Sequence, residues 1–286
     1  MMAAEVRREA EAALGVRLTS VRPLGGGCIG EVYRLDLPDG SRLVAKADPS
    51  HKAHLEREAY MLRYLRENSD LPVPEVIYSS ETLLVMEFVE SDGDISGTVE
   101  EHAAEMLADL HSLSWKAFGL ERDTLIGSLP QPNPPSESWV EFFCEYRLLY
   151  LARVAREAGR LPADTYRRLQ RFADTLPGRL PEPERPALIH GDVWSGNVLV
   201  RNGRVAAFLD PAIYYADPEI ELAFITLFNT FGERFFRRYA ELRDLREGFF
   251  EERRDVYNLY PLLVHTYYFG GSYLGSVENT LTRFGF

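Results

Sequence analysis

Cysteine, lysine and long apolar runs are all scarce in this chain of 286 residues, and each shortage excludes something. The two cysteines, Cys28 and Cys144, lie too far apart to suggest a disulfide framework, so a reducing cytoplasm is the expected setting. No apolar run nears the roughly 20 residues of a membrane span. The opening Met1–Ala10 segment, rich in Glu and Arg, lacks the apolar heart of a secretory leader. Positive charge is also short: 32 Lys and Arg face 44 Asp and Glu, for a net charge of −12. That balance speaks against a nucleic-acid backbone or an anionic membrane as partner. Lysine is the rarest charged residue, with Lys46, Lys52 and Lys116 set against 29 arginines. What remains is ordinary for a globular protein: 45% hydrophobic, 27% charged, without internal repeats, and long enough for two lobes around a sizeable core.

The densest signal is His190-Gly191-Asp192-Val193-Trp194-Ser195-Gly196-Asn197, running into apolar Val198-Leu199-Val200. It reads H-x-D-x-x-x-x-N before a strand, the layout of a kinase catalytic loop. The chemistry explains the spacing. Asp192 is placed to accept a hydrogen bond from an attacking hydroxyl, and Asn197, five positions later, to turn back toward Mg²⁺ on ATP. A second apolar run, Val205–Leu209, ends at Asp210, a further hard oxygen ligand for that ion. Asn197 and Asp210 are therefore the expected metal ligands, one on either side of the turn between two apolar segments. His190 is expected to be a hydrogen-bonded scaffold for the loop.

The amino-terminal region supplies matching parts. Gly25, Gly27, Gly30 and Val32 fit G-x-G-x-x-G-x-V. A dinucleotide-binding turn would lead into a helix, but Val32–Leu37 alternates like a strand, Pro38-Asp39-Gly40 turns, and Ser41–Lys46 returns. A glycine-rich turn ahead of a β-hairpin is a phosphate cover, because glycine lets amides approach phosphate oxygens closely. Cys28 sits among these glycines, so its thiol is a candidate oxidation-sensitive switch. Lys46 ends Leu-Val-Ala-Lys and is the expected phosphate-contacting lysine. Leu55, Ala59, Leu62 and Leu65 form a helical stripe with Glu58 beside it, the expected carboxylate partner of Lys46, with Glu56 the fallback. The strand Leu83–Val89 reads as a hinge whose backbone at Met86, Glu87 and Val89 meets the adenine edge.

Glycine loop, Lys46, Glu58, hinge, catalytic loop and metal Asp follow one another in the order a kinase requires. The fold class is therefore α+β and two-lobed, protein-kinase-like. Residues 1–89 should form a small β-rich nucleotide-binding lobe with one helix. Residues 90–286 should form a larger, mainly helical catalytic and acceptor-binding lobe. Helices are expected near 98–113, 137–158 and 163–175, with mostly helical, aromatic sequence after Asp217.

Gly191 stands where protein kinases carry Arg, Pro211-Ala212 follow Asp210 where they carry Phe-Gly, and no A-P-E follows. A small-molecule acceptor is favoured over a peptide. Here the chain resembles the fructosamine kinase (ketosamine-3-kinase) family, within the aminoglycoside phosphotransferase-like group. The resemblance rests on His190–Asn197 and Asp210-Pro211-Ala212-Ile213-Tyr214-Tyr215, with support from Gly25–Ile29, Pro72–Val76 and Tyr257–His265. It implies ATP, Mg²⁺ and a ketosamine acceptor phosphorylated at O3, in repair of glycated amines. Trp194, Tyr214, Tyr215, His265 and Tyr268 are the acceptor-site candidates. Pro218–Glu221 and Tyr267–Gly270 depart from the pattern at places that could line that site. Two alternatives stay open: another acceptor of the group (an aminoglycoside, choline or a sugar), and a nucleotide-binding pseudokinase. Lys46, Asp192, Asn197 and Asp210, all present, count against the latter. A monomer and a homodimer are equally compatible with the sequence.

Overall fold

The computed structural model describes residues 3–25, 31–48 and 54–286. The chain opens with helix α1 (Ala3–Leu14), then strands β1 (Ser20–Pro23), β2 (Glu31–Asp36) and β3 (Arg42–Ala47), helix α2 (Leu55–Asn68), and strands β4 (Val76–Ser79) and β5 (Leu83–Glu87). The five strands form an antiparallel sheet in the order β1-β2-β3-β5-β4. Period-2 alternation sorts its side chains between two faces. Tyr33, Leu35, Ala45, Ala47, Leu83 and Val85 pack with Val6 and Ala10 of α1. Leu84, Met86 and Val44 point the other way, into the cluster that holds α2. Lys46 alternates with Ala45 and Ala47, so it emerges on the α2 side. The charged amino-terminal stretch thus adds a second helix to the expected single one, because Val6 and Ala10 give it one apolar face.

The remainder is mainly helical: α3 (Gly97–Leu110), the hairpin β6 (Thr124–Ile126) and β7 (Leu129–Gln131), α4 (Trp139–Phe143), a π-helical turn Cys144–Leu149, and α5 (Tyr150–Glu157). After α6 (Ala163–Ala173) come β8 (Ala187–Ile189), β9 (Val198–Arg201), β10 (Arg204–Phe208) and β11 (Tyr214–Ala216). Helices α7 (Glu219–Leu227), α8 (Glu233–Leu242), α9 (Arg254–Phe269) and α10 (Ser272–Arg283) complete the chain. The proline-rich stretch near Pro130 forms β7, a strand short enough to need few ladder bonds.

Two small antiparallel pairs shape the site. Strand β8 pairs with β11, matching Ile189 to Tyr214 and Leu188 to Tyr215. Strands β9 and β10 form a hairpin turned at Asn202-Gly203, both left-handed with φ of 52° and 71°. Asn-Gly favours such a turn because both residues tolerate positive φ. The hairpin brings Asn197, just before β9, alongside Leu209, whose amide donates to the Asn197 carbonyl at 2.8 Å. One large apolar cluster runs from α2 through the helical region to Leu281. Among the described residues no helix is long and apolar enough to cross a membrane.

Candidate active site

The catalytic loop leaves β8, a strand buried throughout. Gly191 turns the chain at φ +86°, and a Cβ there would lie 2.2 Å from the Ala212 carbonyl oxygen. Such an approach is open only to glycine. Ala212 N donates to His190 O at 2.7 Å, so the loop and the segment after Asp210 are backbone neighbours. A carboxylate holds the turn from beneath: Glu221 of α7 accepts from the Gly191 amide at 2.6 Å. His111, at the end of α3, meets Glu221 at 2.8 Å through Nε2 and the Tyr239 hydroxyl at 2.8 Å through Nδ1. All three side chains are buried. Burial works to raise the Glu221 pKa, but the bond and charge of His111, with the Gly191 amide, outweigh it and leave the pKa below the usual value. His190 is fully buried, and burial lowers its pKa, keeping it neutral. Its Nδ1 accepts from the Asp192 amide at 3.3 Å.

Asp192 is half-buried beside Asn197. Asn197 Nδ2 donates to the Asp192 carboxylate at 2.9 Å and to its carbonyl at 3.0 Å. Burial, then the nearby charge of Asp210, pushes the Asp192 carboxyl up to about 8 against the pull of the Asn197 bond. Asp210 has an exposed side chain and a left-handed backbone with φ of 53°. It makes an ion pair with Lys46. Lys46 Nζ also donates to Glu58 Oε1 at 2.6 Å. Burial alone would lower the lysine pKa, but Glu58 and Asp210 together raise it. Burial raises the Glu58 pKa against the opposing pull of Lys46.

The glycine-rich segment connects β1 to β2, and Leu24 N donates to Val32 O at 2.8 Å at its base. Gly25 is exposed, while Gly27, Cys28 and Gly30 lie outside the described residues. Val32 pairs across the sheet with Lys46, and Met86 with Val44. At the hinge, Glu87 N donates to Glu75 O at 2.9 Å, and Val89 is half-buried.

The five acceptor candidates have different surroundings. The Trp194 indole covers Gly196, where a Cβ would lie 2.3 Å from its ring. Tyr214 is buried, with the Arg147 guanidinium 3.8 Å above its ring centre. Tyr215 is also buried, stacked on Trp115 with its hydroxyl 3.2 Å from that of Tyr64. His265 lies between Phe228 and Tyr273, both with ring centres 4.9 Å away, and its Nδ1 pairs with Pro261 O at 2.8 Å. The Tyr268 hydroxyl accepts from Ser128 N at 2.7 Å. Both carboxylates of Pro218–Glu221 are buried and bonded within the protein. Glu219 is held by Arg246 and Arg253, and Glu221 by His111 and the catalytic loop.

A profile of the fructosamine kinase family matches residues 2–284. The chain belongs to the fructosamine kinase family. A probable ketoamine kinase of Synechocystis is 34% identical over 273 residues, covering 93% of this chain and 90% of that protein. The chloroplastic protein-ribulosamine 3-kinase of Arabidopsis thaliana is 32% identical over 275 residues, covering 93% and 82%. The solved structure of a protein assigned as a fructosamine-3-kinase, from Thermobifida fusca, superposes with a TM-score of 0.84 at 32% identity over 99% of this chain and 98% of that one. Aminoglycoside phosphotransferase APH(4)-Ia, at 18% identity and a TM-score of 0.71 over 98% and 99%, shares the protein-kinase-like fold.

As a kinase of the fructosamine kinase family, this chain uses ATP. Its residues also suit a hard divalent cation. Committing the Asn197 N–H groups to Asp192 leaves Oδ1 as the ligating end, beside the exposed Asp210 carboxylate. Among the described residues no cluster of three or more His, Cys, Asp or Glu could hold a metal. Mg²⁺ on a nucleotide needs only one or two protein oxygens, the rest coming from phosphate and water. The pairing of His111 with Glu221 beneath the catalytic loop is not legible in any local motif. The available signal was a pair of acidic residues, Glu219 and Glu221, inside the otherwise apolar α7, since buried charges must find partners.

Proposed function

We propose that this enzyme transfers the γ-phosphoryl group of ATP to O3 of a ketosamine, a fructosamine or ribulosamine. The observation that carries this reading is the Asp192–Asn197 pair set beside the Asp210–Lys46–Glu58 chain, in a member of the fructosamine kinase family. Residues 1–89 then carry the nucleotide, and residues 90–286 the catalytic loop and the acceptor. Gly25, Gly27, Cys28, Gly30 and Val32 cover the phosphates, while Met86, Glu87 and Val89 border the adenine. Lys46, steadied by Glu58, neutralises phosphate charge. Asn197 and Asp210 would hold Mg²⁺, which would supply charge compensation for the triphosphate.

Asp192 accepts the hydrogen bond of the acceptor hydroxyl and aims its oxygen in line with the γ-phosphorus. That oxygen bonds to phosphorus as the bond to the β-phosphate oxygen breaks, ADP leaves, and the proton passes to Asp192. The raised pKa of Asp192 depends partly on the Asp210 charge. Cationic compensation at Asp210 therefore favours the Asp192 carboxylate needed as acceptor. The product carries phosphate on C3, which is α to the C2 carbonyl and β to C1. Loss of a C1 proton as the enol forms lets inorganic phosphate leave from C3, and hydrolysis of the imine left at C1 frees the amine. Two cysteines far apart in sequence suit a reducing cytoplasm.

ADP release measured over ribulosamines, fructosamines, aminoglycosides, choline and simple sugars tests the assignment. Turnover should be highest on ketosamines, with the phosphate located at C3 by phosphorus–proton coupling. Preferential turnover of an aminoglycoside or choline would overturn it.

A further inference from the structure

Helix α2 carries Glu58, and it is tied at its far end to the segment that follows Asp210. The Tyr64 and Tyr215 hydroxyls lie 3.2 Å apart. We propose that this hydroxyl pair is a positioning device that sets the angle of α2, and through it the grip of Lys46 and Glu58 on the nucleotide phosphates.

The connections form a closed circuit. Lys46 bonds Glu58, α2 runs from Glu58 to Tyr64, Tyr64 meets Tyr215, and Tyr215 lies five positions after Asp210, which contacts Lys46 again. Tyr215 is the fixed end. Its amide and carbonyl both bond Gly119 at 2.9 Å, its ring stacks on Trp115, and its neighbour across the sheet is Leu188, two residues before the catalytic loop. Tyr64 is the adjustable end, a half-buried residue whose ring touches that of Tyr60 one turn earlier. Tyr60 in turn reaches Glu121 at 3.3 Å and lies under Arg122.

The geometry acts as a lever. Glu58 and Tyr64 are six residues apart, about 9 Å along the helix, so a tilt of about 5° at Tyr64 moves Glu58 by about 0.8 Å. A hydrogen bond of 2.6 Å does not survive many such shifts unchanged. Nucleotide binding makes the demand acute, because Lys46 is then shared between Glu58 and phosphate. The apolar anchors of α2 (Leu55, Ala59, Leu62 and Leu65) hold the helix on the core without either hydroxyl. Loss of the pair therefore affects angle and leaves the fold in place. Tyr64 and Tyr215 act through Glu58 and are positioning residues.

This inference rests on the reading of Lys46 and Glu58 as nucleotide anchors, and the test keeps the two separable. The probe is a non-hydrolysable ATP analogue with Mg²⁺, titrated calorimetrically into wild type, Tyr64→Phe, Tyr215→Phe, the double variant and Lys46→Met. Each Phe variant keeps its ring and should bind roughly 3- to 10-fold more weakly, the range expected for one intramolecular hydrogen bond. The double variant should bind no more weakly than the worse single one, because both remove the same contact. In Tyr64→Phe, the KM for acceptor should stay at the wild-type value. Unchanged nucleotide affinity in both Phe variants, with only a lowered melting temperature, would make the pair purely structural and overturn the proposal. Wild-type affinity in Lys46→Met would overturn it too, by removing the anchor the pair is said to position.

Discussion

Replacing Gly191 by alanine tests the catalytic loop at its tightest point. The backbone there has φ of +86°, which costs an L-residue about 1–2 kcal/mol. The added Cβ would lie 2.2 Å from Ala212 O and 2.8 Å from Ala212 C. Both atoms are backbone, so no rotamer change relieves the overlap. Separating the two segments breaks the 2.7 Å bond from Ala212 N to His190 O, worth about another 1 kcal/mol. If the loop keeps its place, Gly191→Ala should destabilise the protein by about 3 kcal/mol or more, a large share of a typical total of about 5–15 kcal/mol. If the loop moves instead, Asp192 is displaced, and a shift of about 1 Å costs on the order of 100-fold in turnover. Urea denaturation and kcat, measured on the same preparation, read both outcomes. Wild-type stability together with wild-type turnover would refute the account of the loop. The same geometry explains why the arginine of protein kinases is absent from this position: no side chain fits.

Asp192→Asn should fold and bind nucleotide but lose on the order of 10²–10⁴-fold in turnover, since the acceptor hydroxyl loses its anionic partner; near wild-type turnover would remove Asp192 from that role. Asp210→Ala should abolish Mg²⁺-dependent activity and Asn197→Ala should raise the Mg²⁺ requirement, so an unchanged Mg²⁺ titration in both variants would dismiss them as ligands. Burial lowers the His265 pKa from 6.5, so the folded chain keeps it neutral while the unfolded chain protonates it. Its contribution is therefore fully present above about pH 6.5 and is lost as pH falls below that value. The stability advantage of wild type over His265→Asn should shrink between pH 7.5 and 5.5, and a constant or growing advantage in urea melts would contradict the assignment.

The parts of the site that could be read from the sequence are those fixed by local geometry. Asp192 and Asn197 share one loop, five positions apart, and Lys46 inherits its face of the sheet from strand alternation. Glu58 follows from the periodicity of α2. Asp210 joins them because an Asn-Gly hairpin returns the chain to Asn197, a short-range device with its own signature.

Groups brought together from distant elements left no such trace. The support beneath Gly191 comes from Glu221, His111 and Tyr239, carried on three helical elements and paired across 110 and 128 positions of sequence. The acceptor candidates show a different limit. All five carry rings, and aromatic side chains dominate cores before they contact sugars. Tyr214 lies under Arg147, Tyr215 against Trp115, and His265 between Phe228 and Tyr273. Each such contact fixes a ring by packing, so residue type alone does not distinguish a wall of the acceptor pocket from a wall of the core. Polar groups are the better guide, because a buried polar atom must have a reason to be there. The Tyr260 hydroxyl, bonded to Gln131, which in turn bonds the Ala212 carbonyl, places such a network directly behind the catalytic turn. Specificity for the acceptor is therefore to be sought around that network and Trp194, whose amide donates to the Asp192 carbonyl at 3.2 Å, ahead of Tyr214, Tyr215 and His265.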